Sequence, residues 1–273
     1  MAKHRGFIQP KEWVLEDGSV VEEKRSYTLL YLLFFLALII FSLYIVQFDF
    51  KKVIKNFGNF WTMLFSMFPP NWDYLGAIKK PLFDTIKMSL LGSFLGSITA
   101  VPFAFLAANN IVNNKFINGI VRFVFTVLRT LPTLVTALIA TYIWGLGTFA
   151  GTVAIFIFSF SYIGKQLFEQ IETVDMGPFE AVEALGASRS KAIVATIFPQ
   201  LMPMYISTTL FNFEGNVRYA AILGYVGAGG IGIILNENIG FRDYTNVGMI
   251  LIVLFVAVTL IEQFSQFVRN KLS

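Results

Sequence analysis

The chain contains no cysteine and a single histidine, His4. The first absence excludes a disulfide framework and any zinc or redox site built on thiolates. The second leaves no histidine base to serve a nucleophile and no His-rich metal cluster. Charge is also scarce. Asp, Glu, Lys and Arg make up 14% of the 273 residues, against about 25% in an ordinary soluble domain. That is too little to cover a globule of this length, so much of the chain must be solvated by lipid. What is present agrees: 56% of residues are hydrophobic and 16% aromatic, and mean hydropathy is +0.67. The net charge of +4 fits basic cytoplasmic loops of a membrane protein and does not argue for a nucleic-acid partner.

A helix needs about 20 mostly apolar residues to cross the hydrocarbon core. Stretches of that kind run over residues 28–48, 88–108, 117–144, 148–164, 201–225 and 245–267. The expected fold is therefore an all-α integral membrane bundle of about six transmembrane helices. Residues 1–27 mix acids with Lys3, Arg5, Lys11, Lys24 and Arg25, and read as a cytoplasmic N-terminal segment. The apolar run after them lacks a small-residue cleavage site, so 28–48 reads as a retained anchor and not a signal peptide. The transmembrane domain proper is expected over 88–268, with a cytoplasmic loop at 165–200 and a short cytoplasmic tail at 269–273.

Six crossings put both termini on one side of the cell membrane. Lys115, Lys165, Arg189, Lys191, Arg269 and Lys271 fall on that side, which makes it cytoplasmic. One stretch runs against this pattern. Residues 49–87, extracellular or interfacial in this topology, carry Lys51, Lys52, Lys55, Lys79, Lys80 and Lys87. Part of it, FGNFWTMLFSMFPPNW, is aromatic and apolar and reads as a helix lying in the membrane interface.

Gly227, Gly229 and Gly232 in GYVGAGGIGIIL fit the G-x-G-x-x-G spacing of a dinucleotide-binding turn. That spacing has meaning only between a strand and a helix, with an acid about 20 residues further on. Here the run follows a membrane helix, Asp243 comes too early and Glu262 too late. The glycines Gly224, Gly227, Gly229, Gly230 and Gly232 instead read as a hinge where helices break and approach closely.

The longest polar stretch after the N-terminus is KQLFEQIETVDMGPFEAVEALGASRSKAIVATIFPQ, residues 165–200. Glu180, Ala181, Glu183, Ala184 and Leu185 favour a helix. Gly186 ends it as a C-cap glycine would, and a second helix resumes from Lys191 toward Pro199 and Pro203. The expectation is helix, tight turn, helix. It serves either as a solvated linker or as a docking element with a small-residue surface.

EAVEALGASRSKAIVATIFP resembles the EAA loop of ABC-importer permeases, with Glu180, Ala181, Gly186 and Pro199 in their places. Val182 stands for the third alanine, and Thr196 and Phe198 stand where Ile and Leu are usual. The stretches FPPNWDYLGAIKKPLFDTIKMSLLGS, VPFAFLAANN, RTLPTLVTALI, GASRSKAIVATIFPQLMP and FEGNVRYAAILGYVGAGGIG extend the likeness to phosphonate-importer permeases over about residues 60–235. The resemblance implies a type I ABC-importer (MetI-like) bundle. It also implies a second permease copy, identical or a close paralogue, an ATPase dimer docked below, and a solute-binding protein outside. It implies that Glu180, Ala181, Val182, Gly186, Ala187 and Ser188 meet the ATPase, and that the glycine run lies at the outer gate. No cofactor or metal is expected on this chain, since ATP and Mg would be bound by the partner.

A charge inside the bilayer costs roughly 2.5–3.5 kcal/mol on insertion scales, so it normally faces a cavity or a partner. Arg129 precedes Pro132, and Glu214 and Arg218 lie four apart on one helix face. Arg129 and Arg218 could line a path for an anion, since a guanidinium grips a phosphonate with two hydrogen bonds. They could equally be an internal Glu214–Arg218 pair and an interfacial Arg129. The expected function is ATP-driven import of phosphonate-type anions, with phosphite, phosphate, methionine or another small solute as alternative cargoes. An ion-coupled carrier is the rival class, but no internal repeat is visible. A membrane enzyme would need a nucleophile–base pair or metal ligands, and none is assembled.

Overall fold

The computed structural model describes residues 12–14, 18–22 and 27–271. The chain divides into two compact units, Met1–Thr62 and Met63–Ser273.

The first unit opens with two antiparallel strands, β1 (Glu12–Val14) and β2 (Val20–Glu22), with Trp13 opposite Val21. This short hairpin lies ahead of the helices and leaves the all-α class intact, and its signal is present in the sequence. Asp17-Gly18 between short runs of strand-forming residues is a hairpin signature, and Gly18 takes φ +80°. Helix α1 (Thr28–Ile45) follows, apolar all round, with none of its residues buried against protein. Helix α2 (Phe50–Ser66) separates its apolar residues from its lysines and asparagines, as the interfacial reading requires.

The second unit is a helical bundle. Asn71 accepts a hydrogen bond from Asp73 N and starts a turn at Trp72–Tyr74. That turn runs into α3 (Leu75–Ala107). This helix begins well before Met88, because the charges Lys79, Lys80 and Lys87 lie on its exposed side while Ile78, Thr85 and Met88 keep a buried stripe. The stretch expected as one crossing at 117–144 is two helices, α4 (Lys115–Thr130) and α5 (Thr133–Trp144), bent by 91°. Pro132 is the cause: it pushes the preceding residue out of the helical region, and Leu131 has ψ 120°.

Helix α6 (Thr148–Thr173) extends past its apolar part into the polar loop. The short helix α7 (Gly177–Ala184) follows, and then a turn. A second run is built from α8 (Arg189–Ala192), a π-turn at Ile193–Ile197 and α9 (Phe198–Leu223). The glycine run breaks α9, and α10 (Ile231–Gly240) and α11 (Tyr244–Asn270) complete the chain. The crossing expected at 245–267 falls within α11, and α10 is too short to register as a crossing. Among the described residues, five helices are long and apolar enough to cross a membrane, or six if the bent α4–α5 pair counts as one span.

Helices α3 and α6 meet backbone to backbone. A Cβ on Gly92 would lie 2.7 Å from Ile155 Cγ2, and one on Gly96 would lie 2.7 Å from Phe156 O. Ser89, Ser93, Ser97, Ala100 and Ala104 continue that buried stripe at helical spacing. Small residues at such a seam are how membrane helices pack without a hydrophobic driving force between them. Asn216 Nδ2 donates to Ser93 Oγ (2.8 Å) and Ser159 Oγ (2.9 Å), tying α9 to both helices.

Candidate functional site: a presented turn, a charged helix face and a glycine run

The polar loop is anchored from beneath. Phe179 is buried with Phe168, Ile171, Ala192, Ile197 and Leu201, and Met176 and Val182 pack against the same cluster. Asp175 Oδ1 accepts from Gly177 N at 2.9 Å and sets the start of α7. Gly186 ends that helix with φ +91°. Its N–H donates to Glu183 O (2.9 Å), and Ala187 N donates to Val182 O (3.4 Å). Only glycine adopts this left-handed step without strain.

Fixing the inner side leaves the outer side free to be presented. Glu180, Ala181, Ala184, Gly186 and Ser188 are exposed, Ala187 is half-buried, and Leu185 stands out at 87% exposure. Glu180 lies in the first turn of α7, where a carboxylate faces the positive end of the helix. Val182 points the other way from its neighbours, into the anchoring cluster, so within the expected set it supports the surface from below. Leu185 is the residue that motif reading passed over.

Behind the turn, three helix ends are knotted together. Arg122 of α4 donates from Nε to Ala107 O (2.9 Å), pairs with Glu172 of α6, and covers the Phe168 ring at 4.7 Å. Glu172 also accepts from Asn109 N (2.8 Å). Asn110 donates to Ile171 O (2.7 Å) and lies 3.5 Å from the sulfur of Met176, the residue that starts α7. Arg122 could be flagged in the sequence as a charge in an apolar run. Its partner 50 positions away could not.

Glu214 and Arg218 do pair. Glu214 is buried, and its Oε1 lies 2.5 Å from Arg218 Nη2. The pair is part of a quartet across α9 and α11. Arg218 Nη2 is 3.3 Å from Glu262 Oε2, and Arg269 Nη2 is 4.0 Å from Glu214 Oε2. Arg129 is exposed in the last turn of α4, and no ion pair joins it to this quartet among the described residues.

The glycine run turns between α9 and α10. Gly227, Gly229 and Gly230 have φ of +73°, +88° and +75°. A Cβ on Gly224 would meet the Gly232 backbone, and one on Gly229 would lie 2.7 Å from Thr148 N. The turn is sealed by Gly147 N donating to Gly227 O (2.9 Å) and Ile231 N to Thr85 Oγ1 (2.7 Å). Gly227 N donates to Gly224 O (3.0 Å) and Ala228 N to Leu223 O (3.2 Å), and a helix precedes the run where a nucleotide site would need a strand. Nearby, Asn71 donates to Asn246 Oδ1 (2.8 Å), Asn246 to Asn238 Oδ1 (3.0 Å), and Asn238 to the Tyr74 hydroxyl (2.9 Å). That network clamps the start of α3 to α10 and α11. Among the described residues, no group of three or more His, Asp or Glu side chains is placed to hold a metal ion.

The described residues form a bundle of long apolar helices with a presented polar turn. Residues 100–269 match the family described as binding-protein-dependent transport system inner membrane components, and the chain belongs to that family. It is a multi-pass membrane component of an importer and not an enzyme.

It is 34% identical over 234 residues to a protein of Stutzerimonas stutzeri named for phosphite transport, HtxC, covering 86% of this chain and 83% of that one. It is 35% identical over 224 residues to the phosphate-import permease protein PhnE of Mycolicibacterium smegmatis. That match covers 82% of this chain but 41% of the longer PhnE. Among solved structures, an inward-facing form of the MetNI methionine ABC transporter superposes with TM-score 0.65 at 20% identity. The match covers 74% of this chain and 99% of that one. At this identity the likeness concerns the fold alone.

Proposed function

We propose that this chain carries phosphonate-type oxyanions across the cell membrane, driven by ATP hydrolysis on a partner ATPase docked at the turn around Gly186. The observation that carries the docking role is the geometry of that turn. Its inner side is locked by Phe179 and Val182, and its outer side offers Glu180, Ala181, Leu185, Gly186 and Ser188. The cargo class is supported by relatives named for phosphorus oxyanions over most of this chain.

The run from Arg189 to Val226 is 38 residues, about 57 Å of helix at 1.5 Å per residue. That is longer than a bilayer core of about 30 Å. The Gly186 turn and the glycine gate therefore lie on opposite faces of the membrane. The first is the cytoplasmic, ATPase side, together with the end of α11, and the second is the outer side, where a binding protein delivers substrate. The permease works as a pair, either of identical chains or with a close paralogue. Arg218, half-exposed beside Glu214, and the exposed Arg129 offer guanidinium groups to a passing anion. Glu214 holds Arg218 in place.

The test is uptake of labelled 2-aminoethylphosphonate in cells with and without this chain, the partner subunits being intact. Uptake lost on deletion and restored by the wild-type chain supports the assignment. Uptake unchanged by deletion refutes the cargo. Labelled phosphite and phosphate, run in parallel, identify the alternative.

A further inference from the structure

Three of the six lysines that run against the topology, Lys51, Lys52 and Lys55, lie on α2. At 100° per residue, Phe50, Val53, Ile54, Phe57, Phe60, Trp61, Leu64 and Phe65 fall on one arc of the helix. Lys51, Lys52, Lys55, Asn56, Asn59, Thr62 and Ser66 fall on the other. The separation is complete apart from Met63 on the polar side.

With Lys51, Lys52 and Lys55 the helix is too charged to read as a bilayer crossing. None of its residues is buried. A five-aromatic arc opposite a lysine arc is the composition of a helix that lies in the interface, with its rings at the acyl boundary. Its charge is one-signed. Asp49 caps the helix through Lys52 N (3.1 Å) and pairs with Lys52 Nζ at 3.8 Å. Lys51 and Lys55 have no ion pair among the described residues.

We propose that α2 is an anionic-lipid-binding helix, with its aromatic arc set into the bilayer and Lys51, Lys52 and Lys55 holding the phosphodiester headgroups of anionic glycerophospholipids. A zwitterionic surface would satisfy the aromatic arc and leave the lysines facing cationic choline or ethanolamine groups. An anionic one satisfies both arcs at once. Lys51, Lys52 and Lys55 are then a lipid-selective anchor and stop counting against the topology, while Lys79, Lys80 and Lys87 belong to α3. The inference does not depend on the cargo.

The absence of cysteine makes a direct test possible. Asn59→Cys places a fluorophore on the lysine arc of the full chain, assembled with its ATPase in lipid nanodiscs. Quenching is compared between headgroup-spin-labelled phosphatidylglycerol and the matching phosphatidylcholine. The expected preference for phosphatidylglycerol is about fivefold per unpaired lysine at low salt, from about 1 kcal/mol each. It falls toward unity in the Lys51→Gln, Lys52→Gln, Lys55→Gln variant, while quenching by both lipids persists through the aromatic arc. Equal quenching by the two lipids in the wild-type chain would overturn the proposal, as would a preference unmoved by the triple substitution. Loss of quenching by both lipids would place α2 against a protein partner. Displacement of the preference by excess soluble 2-aminoethylphosphonate would assign the lysines to a soluble anion. Each of these two results also overturns the proposal.

Discussion

Replacing Gly96 with alanine tests how tightly the central helix pair is built. The added Cβ would lie 2.7 Å from Phe156 O, 2.8 Å from Ser159 Cβ and 2.9 Å from Phe160 N, where ordinary contact starts at 3.4 Å. Two of these three atoms belong to the α6 backbone and cannot rotate away. The helices must therefore part by roughly 0.7 Å, and a gap of that size forfeits about a quarter to a half of each dispersion contact along the seam. Overpacking of this kind costs about 1–3 kcal/mol, partly offset by the roughly 0.5–1 kcal/mol that alanine gains over glycine in a helix.

Gly215→Ala is the matched control. Gly215 is also inside a helix, α9, and has no atom within 4 Å of its would-be Cβ, so only the gain applies. Melting of the purified chain in detergent, followed by tryptophan fluorescence, reads both. At about 2–4 °C per kcal/mol for a chain of this size, the net cost of up to about 2.5 kcal/mol should lower the apparent midpoint of Gly96→Ala by up to about 10 °C. Gly215→Ala should leave it level or raise it by a degree or more. Equal midpoints for the two variants would refute the backbone-to-backbone reading of the α3–α6 seam.

Leu185→Glu should leave folding intact, because the side chain is exposed, and should sharply reduce co-purification of the ATPase; undiminished co-purification would remove Leu185 from the docking surface. Arg122→Met keeps an apolar stem over Phe168 but cuts the links to Ala107 O and Glu172. The expected result is more ATP hydrolysed per substrate imported, and an unchanged ratio would limit the knot to a structural role. Arg218→Gln keeps a hydrogen-bonding group beside Glu214 while removing the positive charge. Uptake should fall several-fold at normal expression, and unchanged uptake would leave the pair as internal support only.

What could be read in the sequence divides along a physical line. Features set by near neighbours were legible. The long apolar runs appear as helices, and Gly186 breaks the polar loop between two helical segments. The glycine run was separated from a nucleotide fingerprint by the helix before it. Features set by helix crossing were not legible. Glu262 and Arg269 complete the charge quartet only because α11 crosses α9, and Glu172 meets Arg122 only where three helix ends converge.

Local signals were also misread. Residues 117–144 read as one crossing although Pro132 lies inside them, and the 91° turn between α4 and α5 also needs the bundle around it to hold both arms. The charges at Lys79, Lys80 and Lys87 masked the early start of α3, since an apolar window cannot see a helix with one wet side. Val182 carried the motif's third position, yet its side chain faces the core. A motif fixes spacing along the chain and says nothing about which side of a short helix is covered.

The most direct measurement is ATP-dependent accumulation of labelled 2-aminoethylphosphonate in proteoliposomes holding this chain, its ATPase and its binding protein. The account predicts accumulation that requires ATP on the ATPase side and that disappears with Gly186→Glu in a complex where the variant is still inserted. ATP-dependent accumulation that survives Gly186→Glu would contradict the docking assignment. Accumulation of phosphite or phosphate but not of the phosphonate would contradict the cargo.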